Sequence, residues 1–135
     1  MKRLIALTLA LVLSLTCVPM LAQTQSIQPF SLNGTTGTFT AAGTCPTAVQ
    51  ILTPGVNQAQ YVITNTSTTI PAFIAFASTA AQAATNCVIP TATQQPVYVI
   101  LPYTQIVVTT GGNAFFTGIT ASSTAIIYVS SGQGS

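Results

Sequence analysis

The sequence predicts an all-β fold: a single small antiparallel β-sandwich of about eight strands following an N-terminal signal helix. Three observations lead there. Short runs rich in Val, Ile, Thr, Phe and Tyr recur about every ten residues, Gly, Pro, Asn and Ser punctuate them, and no segment after the leader demands a long helix. The hydrophobic fraction of 49% is ordinary for a packed core and argues against disorder, whereas the charged fraction is only 1%.

Residues 1–22 read as a secretory signal peptide. Lys2 and Arg3 precede a largely apolar run from Leu4 to Leu15, Pro19 follows, and Ala22 stands before the polar Gln23-Thr24-Gln25-Ser26. Met20 departs from the small residue preferred near a cleavage site. Two other fates compete: residues 4–22 are just long enough to cross a bilayer as a retained anchor, and Cys17 is a lipid-anchor candidate in a poor context. Membrane contact is expected only through this leader. The remaining residues, 23–135, suit one domain.

Within that domain the predicted strands fall at residues 35–41, 48–52, 58–64, 72–77, 97–101, 105–109, 114–119 and 125–129. Pro54-Gly55 suits a turn between the second and third, Pro supplying the fixed φ and Gly the positive one. Gly111-Gly112-Asn113 is the best hairpin signal, and Ser122-Ser123 plays a weaker version of the same part. The Ala-rich residues 79–85 predict one helical turn or an irregular crossover between two sheets, pinned at its far end by Cys87. Phe73 and Phe76 fall on opposite faces of one strand, and Val97, Val99 and Leu101 oppose Tyr98 and Ile100 in another. Apolar residues on both faces predict strands covered on both sides or forming an interface.

Charge removes most function classes. Lys2 and Arg3 are the only charged residues, and Asp, Glu and His are absent. General acid-base work needs a group that titrates near working pH, and the nucleophile arrangements of hydrolases need a base with an orienting partner. Zinc, calcium and magnesium sites need His, Cys or carboxylate ligands. No catalytic residue, metal site or cofactor is therefore expected, apart from a Tyr or Ser acting with backbone amides alone. Nucleic acid is excluded as a partner because nothing from Gln23 onward neutralises phosphate.

Cys45 and Cys87 are the two cysteines left after the leader, and in an oxidising compartment they predict a structural disulfide. A redox pair or reactive thiol would call for a CxxC spacing or a nearby cation, and neither is present. Closing a loop of this length contributes about 4 kcal/mol on the chain-entropy model.

Other patterns have a plain reading beside a functional one. Thr36, Thr38 and Thr40 put three hydroxyls on one strand face, as an ice-binding array would. Thr is also an ordinary strand residue, and no fixed repeat extends the row. Asn33-Gly34-Thr35 and Asn65-Thr66-Ser67 are sequons, which arise easily in a chain this rich in Thr and Ser. A lectin role lacks both Trp and carboxylates. Without charges to guard strand edges, either prolines such as Pro71, Pro96 and Pro102 blunt them or they pair with other copies. Residues 23–30, polar with isolated Ile27 and Phe30, are a candidate arm for adding a strand to a neighbour's sheet.

From Gln60 to Gly134 the chain resembles small β-sandwich accessory proteins of tailed phages, the kind that decorate capsids or tails. The resemblance rests on Tyr61-Val62-Ile63-Thr64-Asn65, Phe73-Ile74-Ala75-Phe76, the Ala-rich stretch leading to Ile89-Pro90, and the closing run from Thr124 to Gly134. It implies a multi-copy virion role. The signal peptide and the disulfide depart from that family and imply a secreted, periplasmic or cell-surface protein. The expectation is a non-catalytic structural module forming a homo-oligomer or larger protein assembly. The rival is a ligand-binding adhesin or pilus-like subunit.

Overall fold

The computed structural model describes residues 30–52, 60–91 and 95–134. The leader, the candidate arm up to residue 29 and the Pro54-Gly55 turn lie outside the described residues.

Among the described residues, eight strands form two four-stranded antiparallel sheets packed face to face. They are β1 (Phe30–Ala41), β2 (Val49–Gln50), β3 (Gln60–Asn65), β4 (Ala72–Ala77), β5 (Val97–Ile100), β6 (Gln105–Thr109), β7 (Phe115–Ile119) and β8 (Ala125–Gly134), and a helix, α1 (Ala80–Asn86), lies between β4 and β5. The first sheet runs β1-β8-β3-β6 and the second β2-β7-β4-β5. The first strand pairs with the eighth, the second with the seventh, the third with the sixth and the fourth with the fifth. A long hairpin wrapped around the sandwich gives this order, the arrangement of a jelly roll.

The inward faces supply the core. Phe39, Tyr61, Ile63, Ile127 and Val129 from the first sheet meet Ile74, Ile100 and Phe116 from the second. Tyr61 and Phe116 touch across the layers with ring centroids 4.7 Å apart, and Phe76 stacks on Tyr98 at 5.3 Å. Gly118 is small for a reason. A Cβ there would lie 2.8 Å from Ile74 Cδ1 and 3.1 Å from both a Phe39 ring carbon and the Phe73 carbonyl oxygen.

Three expectations are corrected. Gly111 and Gly112 do adopt positive φ, 60° and 90°, yet they do not make a hairpin. They turn the corner from β6 in one sheet to β7 in the other, and the corner is closed by Thr110 and Asn113, each side chain bonding the other's carbonyl at 3.0 and 2.8 Å. Ser122-Ser123 likewise joins strands of different sheets, with Ser123 at φ 57°. The Ala-rich segment does the opposite of a crossover, because it links β4 to β5, neighbours in one sheet. It forms seven helical residues capped by Thr79, whose hydroxyl accepts the Gln82 amide.

The helix accounts for the two-sided apolar character of β4. Ile74 and Phe76 point inward, while Ala75 and Ala77 point outward and are nonetheless buried, because α1 lies over β4 and β7 with Ala83 fully covered. β5 differs: Ile100 is buried, whereas Val99 and the flanking Leu101 are exposed.

Candidate functional site

Cys45 and Cys87 are disulfide-bonded, with Cα atoms 6.2 Å apart. Cys87 is the C-cap of α1. Cys45 belongs to the segment after β1, which lies along β7: the Thr120 amide donates to the Ala42 carbonyl at 2.9 Å, and the buried Thr117 hydroxyl donates to the Pro46 carbonyl at 2.8 Å. The bond thus ties together the two pieces of chain that cover the outer face of the second sheet. The pairing itself is the one expected for the two cysteines that follow the leader.

The outer face of the first sheet has no such cover among the described residues. Side chains alternate along a strand, so the residues opposite the core on β1, β8, β3 and β6 share this face. They are Thr36, Thr38 and Thr40, then Ile126, Tyr128 and Ser130, then Gln60, Val62 and Thr64, then Gln105, Val107 and Thr109. The register places Thr38 beside Tyr128, Tyr128 beside Thr64, and Thr64 beside Gln105. Val107, Ile126 and Tyr128 are 53%, 48% and 43% exposed. Neutral polar groups bond one another between them, as with the Thr36 and Ser130 hydroxyls at 2.8 Å. The face is therefore wide, uncharged and part apolar, built on the hydrogen-bonded order β1-β8-β3-β6. The threonine row that the sequence singled out is its β1 margin and not a repeating array.

Sequence reasoning missed Ile126, Tyr128 and Val107 as surface groups. The alternation Ala125-Ile126-Ile127-Tyr128-Val129 is apolar at every position, so the pattern alone does not say which half meets the core.

A second feature is a shallow cleft of about 290 Å³ lined by Thr64, Asn65, Thr66, Tyr103, Thr104 and Gln105. Tyr103 stands at its rim, 77% exposed and at φ 55°. Its amide donates to the Ser67 carbonyl at 2.7 Å, which holds the tight turn. Asn65 forms the floor. Its side chain donates to the Ile70 and Ile100 carbonyls at 2.8 and 3.2 Å and accepts the Ser67 amide at 3.0 Å. Buried and fully engaged, it is a corner post of the fold and not an accessible glycosylation acceptor.

Tyr61 is the remaining titratable group of note. Burial raises its pKa above the ordinary 10, and the nearby Thr110 hydroxyl lowers it by less. The Thr110 hydroxyl donates to the Asn113 carbonyl, and the Tyr61 hydroxyl is a buried side-chain polar atom without a hydrogen-bond partner among the described residues. It sits in the core, away from the cleft residues. Among the described residues no group of three or more His, Cys, Asp or Glu gathers to hold a metal, and no helix is long and apolar enough to cross a membrane.

No protein-family model matches the chain, and no curated protein matches it in sequence. Among solved structures it is similar to a chain from Bacillus endospore appendages, described as a novel family of disulfide-linked pili, at 14% identity and a TM-score of 0.35, over 77% of this chain and 88% of that one. The likeness is too distant to bear on function.

Proposed function

We propose that this protein is an exported, non-catalytic structural subunit that works in many copies at a surface or in a virion, held to its neighbours by apolar and neutral polar contacts. The observation that carries the reading is the open outer face of the first sheet, where Val107, Ile126 and Tyr128 stand exposed among hydroxyls and amides with no charge between them. A surface without charge has no electrostatic repulsion to keep copies apart. The disulfide supports export, since such bonds persist in oxidising compartments. The leader and the sequence resemblance to phage accessory proteins supply the surface and virion alternatives.

The test is to size the secreted product by light scattering and view it by negative-stain microscopy. Rings, filaments or virion-bound ornaments are the expected result, and a monomer at all concentrations rejects the proposal. The cleft beside Tyr103 favours a second reading, a ligand-binding adhesin. That reading predicts a monomer that binds a receptor and loses it on Tyr103→Ala.

A further inference from the structure

Among the described residues the first sheet has two free edges, and they match one another. β1 and β6 lie at opposite ends of the order β1-β8-β3-β6, and successive antiparallel strands alternate in direction, so β1 and β6 run oppositely. A second copy placed by translation alone therefore sets its β6 antiparallel to the first copy's β1.

The hydrogen-bond alternation agrees. The Thr66 amide donates to the Ile126 carbonyl at 3.1 Å and the Asn65 amide to the Thr104 carbonyl at 2.9 Å. In an antiparallel ladder each residue turns both its backbone groups to one side, and the side alternates along the strand. With the observed register, Ile127 and Val129 of β8 bond toward Phe39 and Gly37 of β1. Thr36, Thr38 and Thr40 then turn their backbone groups outward, and on β6 so do Gln105, Val107 and Thr109.

These six residues also carry exposed side chains on the open face. Pairing Thr36 with Thr109, Thr38 with Val107 and Thr40 with Gln105 of the next copy thus satisfies strand sense, hydrogen-bond parity and facing together. The lengths match too. β1 is regular from Thr36 onward, after its irregularity between Leu32 and Thr36, and β6 spans Gln105–Thr109.

Neither stretch contains the Pro or charged residue that ordinarily guards an edge. The second sheet is different: its edge β2 has two residues, and its edge β5 is flanked by Pro96 and Pro102. Among the described residues, the edges without such guards belong to the first sheet.

We infer that copies of this chain join head to tail by pairing the β1 edge of one with the β6 edge of the next, making the first sheet continuous through the assembly. The inference rests on the assembly reading above and names its contact. A head-to-tail contact is heterologous, and sheet twist carries it into a ring or a helical filament.

The test uses the exported chain as made, with Thr38→Lys, Val107→Glu and the two combined, all at exposed side chains that leave the core untouched. Retention of the wild-type melting temperature establishes that each variant folds. Either single substitution is expected to lower the assembled fraction by about ten-fold, and the double variant to restore it, because the new Lys and Glu then face each other across copies. Single variants that stay assembled at wild-type size, or a double variant no better than the singles, overturn the β1–β6 contact and leave the assembly proposal standing. A wild-type protein that is monomeric overturns both.

Discussion

Breaking the Cys45–Cys87 bond is the sharpest stability test. The two residues are 42 apart in sequence, and on the chain-entropy model cross-linking a loop of that length is worth about 4 kcal/mol at room temperature. For a domain of about this size each kcal/mol moves the melting temperature by roughly 4–6 °C. Reduction, or Cys45→Ala with Cys87→Ala, is thus expected to lower it by roughly 15–25 °C. The structure also says where the damage falls. The bond joins the end of α1 to the segment lying on β7, so its loss loosens the cover over Ala75, Ala77 and Thr117 before the inner core is touched. Circular dichroism melts with and without reductant measure the first effect, and amide exchange at Thr117 and Ala83 against Ile63 and Ile127 measures the second. A reduced protein, shown by mass to carry free thiols, that melts within about 3 °C of the oxidised form refutes the reasoning. So does uniform loss of protection in both sheets.

Other consequences follow from single groups. Tyr61→Phe is expected to leave stability unchanged or slightly higher, because the hydroxyl it removes is buried and unpartnered; thermal melts decide. Burial raises the folded-state pKa of Tyr61 above 10, so folding favours its protonated form, and the sign is fixed. Stability is complete below about pH 10 and falls as pH rises through the folded pKa. The fall is expected to be shallower in Tyr61→Phe. Gly118→Val is expected to destabilise by about 1–3 kcal/mol through overpacking against Ile74 and Phe39, which denaturant titration measures. Asn65→Ala is expected to cost about 2–3 kcal/mol, since it leaves the Ile70 and Ile100 carbonyls without their donor.

Much of the fold was legible from residue order, and the misses have physical causes. The β-branched and aromatic runs located all eight strands. Turns were also rightly placed at Gly111-Gly112 and Ser122-Ser123, where Gly111, Gly112 and Ser123 take positive φ. What local chemistry does not encode is which sheet the next strand joins. In a jelly roll nearly every connection changes sheets, so turns that look like hairpins become corners.

Strand ends were similarly hidden. β1 starts at Phe30 and β8 continues to Gly134, through Gly34 and Gly132, which look like loop residues. Gly132 has to be small, because a Cβ there would overlap the Ser31 carbonyl and the Phe30 ring. Of the candidate site, the Cys45–Cys87 pairing and the β1 threonine row were readable. The matching edges were not, because they exist only once Thr38 and Val107 are placed at opposite edges of one sheet.

The central claim is that the folded body acts through neutral contacts, and a salt titration of the purified protein tests it most directly. Between about 0.01 M and 1 M salt the screening length falls from roughly 30 Å to 3 Å. Sedimentation is expected to show assembled particles whose size does not fall across that range. Particles that dissociate as salt rises would mean that charge holds the copies together, which contradicts the account.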